Sequence, residues 1–262
     1  MRKGGIWSML VAERQQKIVE IVNKRKSVTV AELSKIFSVT EETIRRDLEK
    51  LQNEKKLLRS HGGAVSIQSN DSLEIPYPER ESTNVKEKYE IANEAVKHVK
   101  QGDKIILDAS TTAWYMAKAL PDIPITVLTN SIKVAIELST KSNIEVISVG
   151  GILLPRSLSY AGPLAESSMD LYHLDKAFIS CKGLHLERGL SESSEQQARI
   201  KKKMIENVDQ VYILIDYSKF GVKAFSKISD LDVIDYIITD SKADNNILEK
   251  LASKSVQIIK TQ

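Results

Sequence analysis

Residues 29–65 read TVAELSKIFSVTEETIRRDLEKLQNEKKLLRSHGGAV. Thr29-Val30-Ala31-Glu32 has the S/T-x-x-E form of a capping box, in which hydroxyl and carboxylate each satisfy an orphan backbone N–H. The helix it opens puts Ala31, Leu33, Ile36 and Phe37 on or near one face, and Ser38-Val39-Thr40 breaks it early. Thr40 caps the next helix, where Ile44, Leu48 and Leu51 recur at i, i+4 and i+7 and face inward. Glu41, Thr43, Arg45, Arg46 and Glu49 therefore point elsewhere. Two short helices joined by a tight turn, the second carrying exposed arginines, predict a helix-turn-helix. Strand-like Leu57–Ser60 and Ala64–Ile67 flank His61-Gly62-Gly63, whose glycines permit the positive φ of a hairpin turn. With an amphipathic helix over Leu10–Asn23 in front, the stretch predicts a winged helix-turn-helix domain over residues 10–66.

A recognition helix offers polar side chains to base edges while its first turn meets phosphate. Arg45 and Arg46 suit bidentate guanine or phosphate contacts, with hydroxyls from Thr29, Thr40 and Thr43, and Glu41 beside them. Lys55, Arg59, Ser60, His61 and Gly62 would extend the surface along the wing. Adjacent arginines can also be a solvated helix face; the Gly-Gly wing and the two-helix spacing favour duplex DNA. Charge agrees. The 262-residue chain carries 38 Lys and Arg against 35 Asp and Glu, yet residues 1–65 hold 14 basic and 8 acidic side chains. The remaining residues hold 24 and 27, so a basic head precedes an acidic body.

Residues 67–85 are polar, contain Pro76 and Pro78, and read as a linker. A helix follows over residues 86–100. From Lys104 onward, apolar strand-like runs alternate with helical ones to the end of the chain, which predicts a parallel sheet covered by helices on both faces. The fold class is thus α/β, a winged helix-turn-helix joined to a parallel-sheet domain over residues 86–262. In such a sheet the strand carboxyl ends line one crevice. The segments expected there are Asp108 with Ser110, Thr111 and Thr112; Asn130 and Ser131; Gly150 and Gly151; Lys182 and Gly183; and Lys219. Free N–H groups, hydroxyls and two lysines in register suit an anionic small molecule. Each segment alone is better read as an ordinary capped βα turn; five in register favour the pocket.

Other signals are weaker. The single cysteine, Cys181, excludes an intramolecular disulfide framework and fits a reducing cytoplasm; it is read as a small core residue. No apolar run is long enough to span a membrane. The four histidines lack metal-ligand spacing, so neither metal nor cofactor is expected.

These residues resemble the DeoR-type bacterial transcriptional regulators. The likeness rests on Glu13-Arg14-Gln15-Gln16-Lys17-Ile18, Val30-Ala31-Glu32-Leu33, Thr43-Ile44-Arg45-Arg46-Asp47-Leu48 and Arg59-Ser60-His61-Gly62-Gly63-Ala64, and continues through Ser218-Lys219-Phe220-Gly221. Two positions depart from the family pattern: Ser110 stands where a glycine is usual, and Gln197 where a glutamate often precedes alanine. The resemblance implies a homo-oligomeric regulator of a carbohydrate operon, dimer or tetramer and generally a repressor. It implies that a phosphorylated sugar enters the crevice and alters the helix over 86–100 and the linker before it. A competing class is a sugar-phosphate isomerase with an appended domain, Asp108 acting as base and Lys219 polarising a carbonyl.

Overall fold

The computed structural model describes residues 11–25, 27–54, 56–60, 62–65 and 74–262. The chain forms two compact units, Met1–Ser72 and Leu73–Gln262.

In the first unit, helix α1 (Val11–Arg25) leads into strand β1 (Ser27–Thr29), α2 (Val30–Phe37), α3 (Glu41–Asn53), β2 (Leu58–Ser60) and β3 (Gly63–Val65). The capping box forms as its spacing predicts: Thr29 Oγ1 accepts from the Glu32 N–H at 3.2 Å, and the Glu32 carboxylate accepts from the Thr29 N–H at 2.8 Å. Ser38 ends α2 in the left-handed region at φ 52°, and Thr40 caps α3 by accepting from the Thr43 N–H. The small antiparallel sheet has the order β1-β3-β2, so β1 is a third strand that periodicity did not reveal. Three residues are too few to alternate visibly. Ile18, Val22, Leu33, Ile44, Leu48, Leu51 and Leu57 make the core.

The second unit contains α4 (Tyr77–Glu81), α5 (Val85–Val96), β4 (Lys104–Leu107), α6 (Thr111–Ala119), β5 (Ile125–Thr129), α7 (Ile132–Leu138) and β6 (Ile144–Ser148). Then come β7 (Ile152–Leu154), β8 (Ser159–Ala161), α8 (Pro163–Met169), β9 (Leu174–Ile179), β10 (Gly183–His185), β11 (Gly189–Glu192) and α9 (Glu195–Glu206). The chain closes with β12 (Val208–Leu214), β13 (Ser226–Ser229), β14 (Tyr236–Thr239), α10 (Asn245–Ala252) and β15 (Gln257–Lys260). Seven strands form one parallel sheet in the order β15-β14-β12-β9-β4-β5-β6. Strand side chains alternate between two cores. Ile105, Leu107 and Phe178 meet α5, α6 and α7 through Ile91, Met116 and Val134. Ile106, Ala177 and Ile179 meet α8, α9 and α10 through Met169, Met204 and Leu251. The strands from β4 run outward to β6, those from β9 run outward to β15, and the order reverses between β4 and β9.

Two expectations need correction. The C-terminal part of the expected linker is structured: α4 belongs to the second unit, where Tyr77 is fully buried and its N–H donates to the Arg156 carbonyl at 2.7 Å. Pro76 before the helix and Pro78 within its first turn suit a helix start, which a reading of proline as a breaker overlooks. The second is the antiparallel pieces β7–β8 and β10-β11-β13, which at three or four residues each are too short to show in the alternating pattern.

Candidate functional site

On α3 the inward stripe of Ile44, Leu48 and Leu51 leaves Arg45 and Arg46 with side chains 53% and 79% exposed. Each is paired one turn back along its own helix, Arg45 with Glu41 at 3.0 Å and Arg46 with Glu42 at 3.4 Å. Such exposed pairs are worth at most about 0.5 kcal/mol, so a phosphate displaces them readily. The Thr40 and Thr43 hydroxyls lie 2.9 Å apart at the start of α3, and the Thr29 hydroxyl is engaged in its capping box. The Gly62 carbonyl accepts from the Val30 N–H at 2.8 Å, which ties the wing turn to the start of α2. Gly62 takes φ +83°, as a hairpin tip requires, and Arg59 is exposed. Lys55, His61 and the Ser60 side chain lie outside the described residues.

Beneath this surface sits a carboxylate that sequence reading passed over. Asp47, 4% exposed, accepts from Arg14 Nε at 2.6 Å and from Gln15 Nε2 at 2.9 Å. Both partners come from α1, so the bond fixes α3 against it. Its position one residue after the two arginines and before Leu48 was the available signal: a charged residue on the buried stripe needs a partner.

The second unit holds a cleft of about 120 Å³, partly open to solvent, at the point where the sheet order reverses. The N-terminus of α6 enters it with Ser110, Thr111 and Thr112. Ser110 Oγ accepts from the Ala113 N–H at 3.0 Å with φ −79°, a conformation needing no glycine, so the departure at this position costs nothing locally. Ser180, Cys181 and Lys182 reach the cleft from the end of β9, and Asp216, Ser218 and Lys219 from the end of β12. Glu74, Ile75, Arg80, Thr83, Asn84 and Lys88 supply another side.

Electrostatically the cleft is mixed. Arg80, Lys88, Lys182, Lys201 and Lys219 face Glu74, Glu192 and Asp216. Lys201 is already committed: it binds the Ser180 carbonyl at 2.7 Å, Glu192 at 2.5 Å and Asp108 at 3.2 Å. Burial alone would lower its pKa, but Glu192 and Asp108 outweigh this and hold it above the ordinary lysine value. Lys88 is different. Its ammonium donates to the carbonyls of Arg80 and of Thr83, the latter at 2.5 Å, and burial lowers its pKa to about 8 despite the attraction of Asp216. An ammonium has three donors, so one is left for an anion. The Cys181 thiol, buried, is pushed up to about 12 and is no nucleophile at neutral pH.

Of the residues expected in the crevice, Ser110, Thr111, Thr112, Lys182 and Lys219 line this cleft. Asp108 lies underneath, wholly buried, its oxygens accepting from the N–H groups of Ser110 and Ser180 at 3.0 Å each. Gly183 pairs in β10, where an added Cβ would strike Val222. Asn130 donates to the Tyr160 carbonyl, Ser131 caps α7, and Gly150 and Gly151 lead into the β7–β8 hairpin; none of these lines the cleft. Gly151 is required by packing, with φ +126° and an added Cβ only 2.7 Å from the Ala161 carbonyl oxygen. Strands β5 and β6 are second and third from the reversal on the β4 side, so their ends fall away from it. Lys88, Arg80 and Glu74 were missed because they precede the first strand. Gln197 is buried and donates to Ser157 and Ser159 at 2.8 and 2.9 Å, which an amide does and a carboxylate does not.

The chain matches the family described as "DeoR-like helix-turn-helix domain" over residues 14–70 and that described as "DeoR C terminal sensor domain" over residues 83–241. It is 63% identical to the uncharacterized HTH-type transcriptional regulator YulB of Bacillus subtilis (strain 168), over 95% of this chain and 96% of that one. It is 38% identical to the L-fucose operon activator of Escherichia coli (strain K12), over 88% and 96%. It is 33% identical to the HTH-type transcriptional repressor GlcR of Bacillus subtilis (strain 168), over 97% and 98%.

Proposed function

The chain belongs to the DeoR family of DNA-binding transcriptional regulators, and from that premise we propose that it represses a carbohydrate-utilisation operon and leaves its operator when a phosphorylated sugar fills the cleft. The observation that carries the effector half is the α6 N-terminus opening at the sheet reversal beside Lys88 and Lys219. Helix N-termini with adjacent cations stabilise phosphate oxygens. Five residues are assigned to the phosphate: Thr111 and Thr112 through their hydroxyls and N–H groups, and Lys88, Lys182 and Lys219 through their ammoniums. On the DNA side, Arg45 and Arg46 contact the duplex, with Thr40, Thr43 and the wing residues Arg59 and Gly62 beside them. A homo-oligomer, at least a dimer, supplies two winged units for two half-sites.

The energies are adequate. Moving occupancy from 99:1 to 1:99 takes a differential affinity of about 10⁴, or ~5.5 kcal/mol. Charge-assisted hydrogen bonds at ~1.5–3 kcal/mol each supply that from a few phosphate contacts. The isomerase alternative fares worse because Asp108, its general base, is fully buried and has both oxygens occupied by N–H groups and Lys201.

A thermal-shift screen of pentose and hexose phosphates against the free sugars tests the reading. Stabilisation by a phosphate and not by its parent sugar supports it; equal response to both sinks it. Relatives of this chain include both an activator and a repressor. The sign is therefore tested separately: deletion raises expression from the operator if the chain represses, and lowers it otherwise.

A further inference from the structure

All cleft-lining residues from Thr83 to Lys219 fall inside the span matched by the sensor-domain family. Glu74, Ile75 and Arg80 do not: they lie between residue 70, where one matched span stops, and residue 83, where the other starts. Yet the strap that carries them is firmly seated. Tyr77 is fully buried, the Lys88 ammonium holds the carbonyls of Arg80 and Thr83, and Asn84 Nδ2 donates to Asp216 Oδ1 at 3.0 Å. These contacts fix Glu74 and Arg80 at the edge of the cleft, where a ligand can meet them.

Of the two charged side chains on this wall, Arg80 is under-bonded. Arg80 Nε donates to the Ile75 carbonyl at 3.0 Å and the guanidinium lies 5.5 Å over the Tyr77 ring. Its Nη2 is buried with no hydrogen-bond partner among the described residues. The Glu74 carboxylate stands 3.9 Å from that nitrogen, beyond hydrogen-bond reach, with the Ser157 hydroxyl as its neutral partner. Burial, together with nearby Glu192, raises the Glu74 pKa against the pull of Arg80. A second phosphate is unwelcome beside two carboxylates. A hydroxyl fits, because it donates to the carboxylate and accepts from the guanidinium at once.

We infer that Glu74 and Arg80 are the specificity-determining residues of the cleft and bind a hydroxyl of the sugar, at the part of the ligand that is not its phosphate. This rests on the phosphosugar reading above. A site built to hydrogen-bond a hydroxyl rejects the analogue that lacks it.

The experiment is isothermal titration of the full chain with pentose and hexose phosphates, each beside its deoxy and epimeric counterparts. Wild type should prefer one member of a pair by about 10-fold or more. Glu74→Ala should shrink that ratio to about 3-fold or less, and so should the isosteric Glu74→Gln, which guards against a folding defect in the first. Thr111→Val, at the phosphate end, should weaken both members of the pair together and keep their ratio. If the ratio survives both Glu74 variants, Glu74 does not select the ligand and this inference falls alone. If wild type binds no sugar phosphate, the phosphosugar reading fails first and takes this inference with it.

Discussion

Lys88 is the residue whose protonation the cleft controls most directly. Its folded value of about 8 lies below the ordinary 10.5, mainly because burial penalises the charge. Between those values the unfolded chain binds the extra proton, so stability rises with pH across about 8 to 10.5. Asp216, Lys219, Arg80 and Glu87 face it and remain in a Lys88→Met variant, which should lose that rise in urea titrations at pH 8 to 10. An anion beside Lys88 favours the ammonium, so phosphate binding above pH 8 should take up protons and its heat should vary with buffer ionisation enthalpy. Asp47 carries the other residue-scale prediction. Asp47→Ala leaves Arg14 buried without its partner and should destabilise the first unit by about 3–5 kcal/mol in thermal denaturation. Arg45→Ala with Arg46→Ala should leave stability nearly intact. It should reduce the salt dependence of DNA affinity by about 2 in log–log slope if both arginines meet phosphates.

At the scale of elements, the strap is informative because its anchor is imperfect. The Tyr77 hydroxyl is buried without a hydrogen-bond partner among the described residues. Tyr77→Phe should therefore be neutral or stabilising, whereas Tyr77→Ala should cost about 3–5 kcal/mol and expose residues 74–84 to protease. What was legible in the sequence followed from periodicity. The α2–α3 pair declared itself through Thr29, Thr40 and the Ile44-Leu48-Leu51 stripe, and β4 through an unbroken apolar run. Three-residue strands such as β1 and β7 carry no period to read. The cleft was half legible: Ser110 to Thr112, Lys182 and Lys219 sit just after apolar strands, so chain order located them. Nothing local marks Lys88 or Glu74 as their neighbours, because that proximity arises only when α4 and α5 fold back over the strand ends. Asn130 and Gly150 misled for the converse reason, since they follow strands in the same way but strands too far from the reversal.

At the scale of the molecule, two units with no shared hydrophobic core predict two calorimetric transitions. A cognate sugar phosphate should raise only the larger transition and operator duplex only the smaller. Independent movement of each would support separate thermodynamic units, and a single transition that both ligands shift equally would refute it. The order of the sheet also governs timing during synthesis. The central pair joins Ile105 to Lys176, with three helices and four strands translated between them. At roughly 5–20 residues per second the ribosome needs on the order of 4–14 s to deliver β9 after β4. The winged unit, whose pairings are local, is complete before then. Each newborn chain thus carries a finished winged unit for seconds before the cleft, whose lining extends to Lys219, can exist at all.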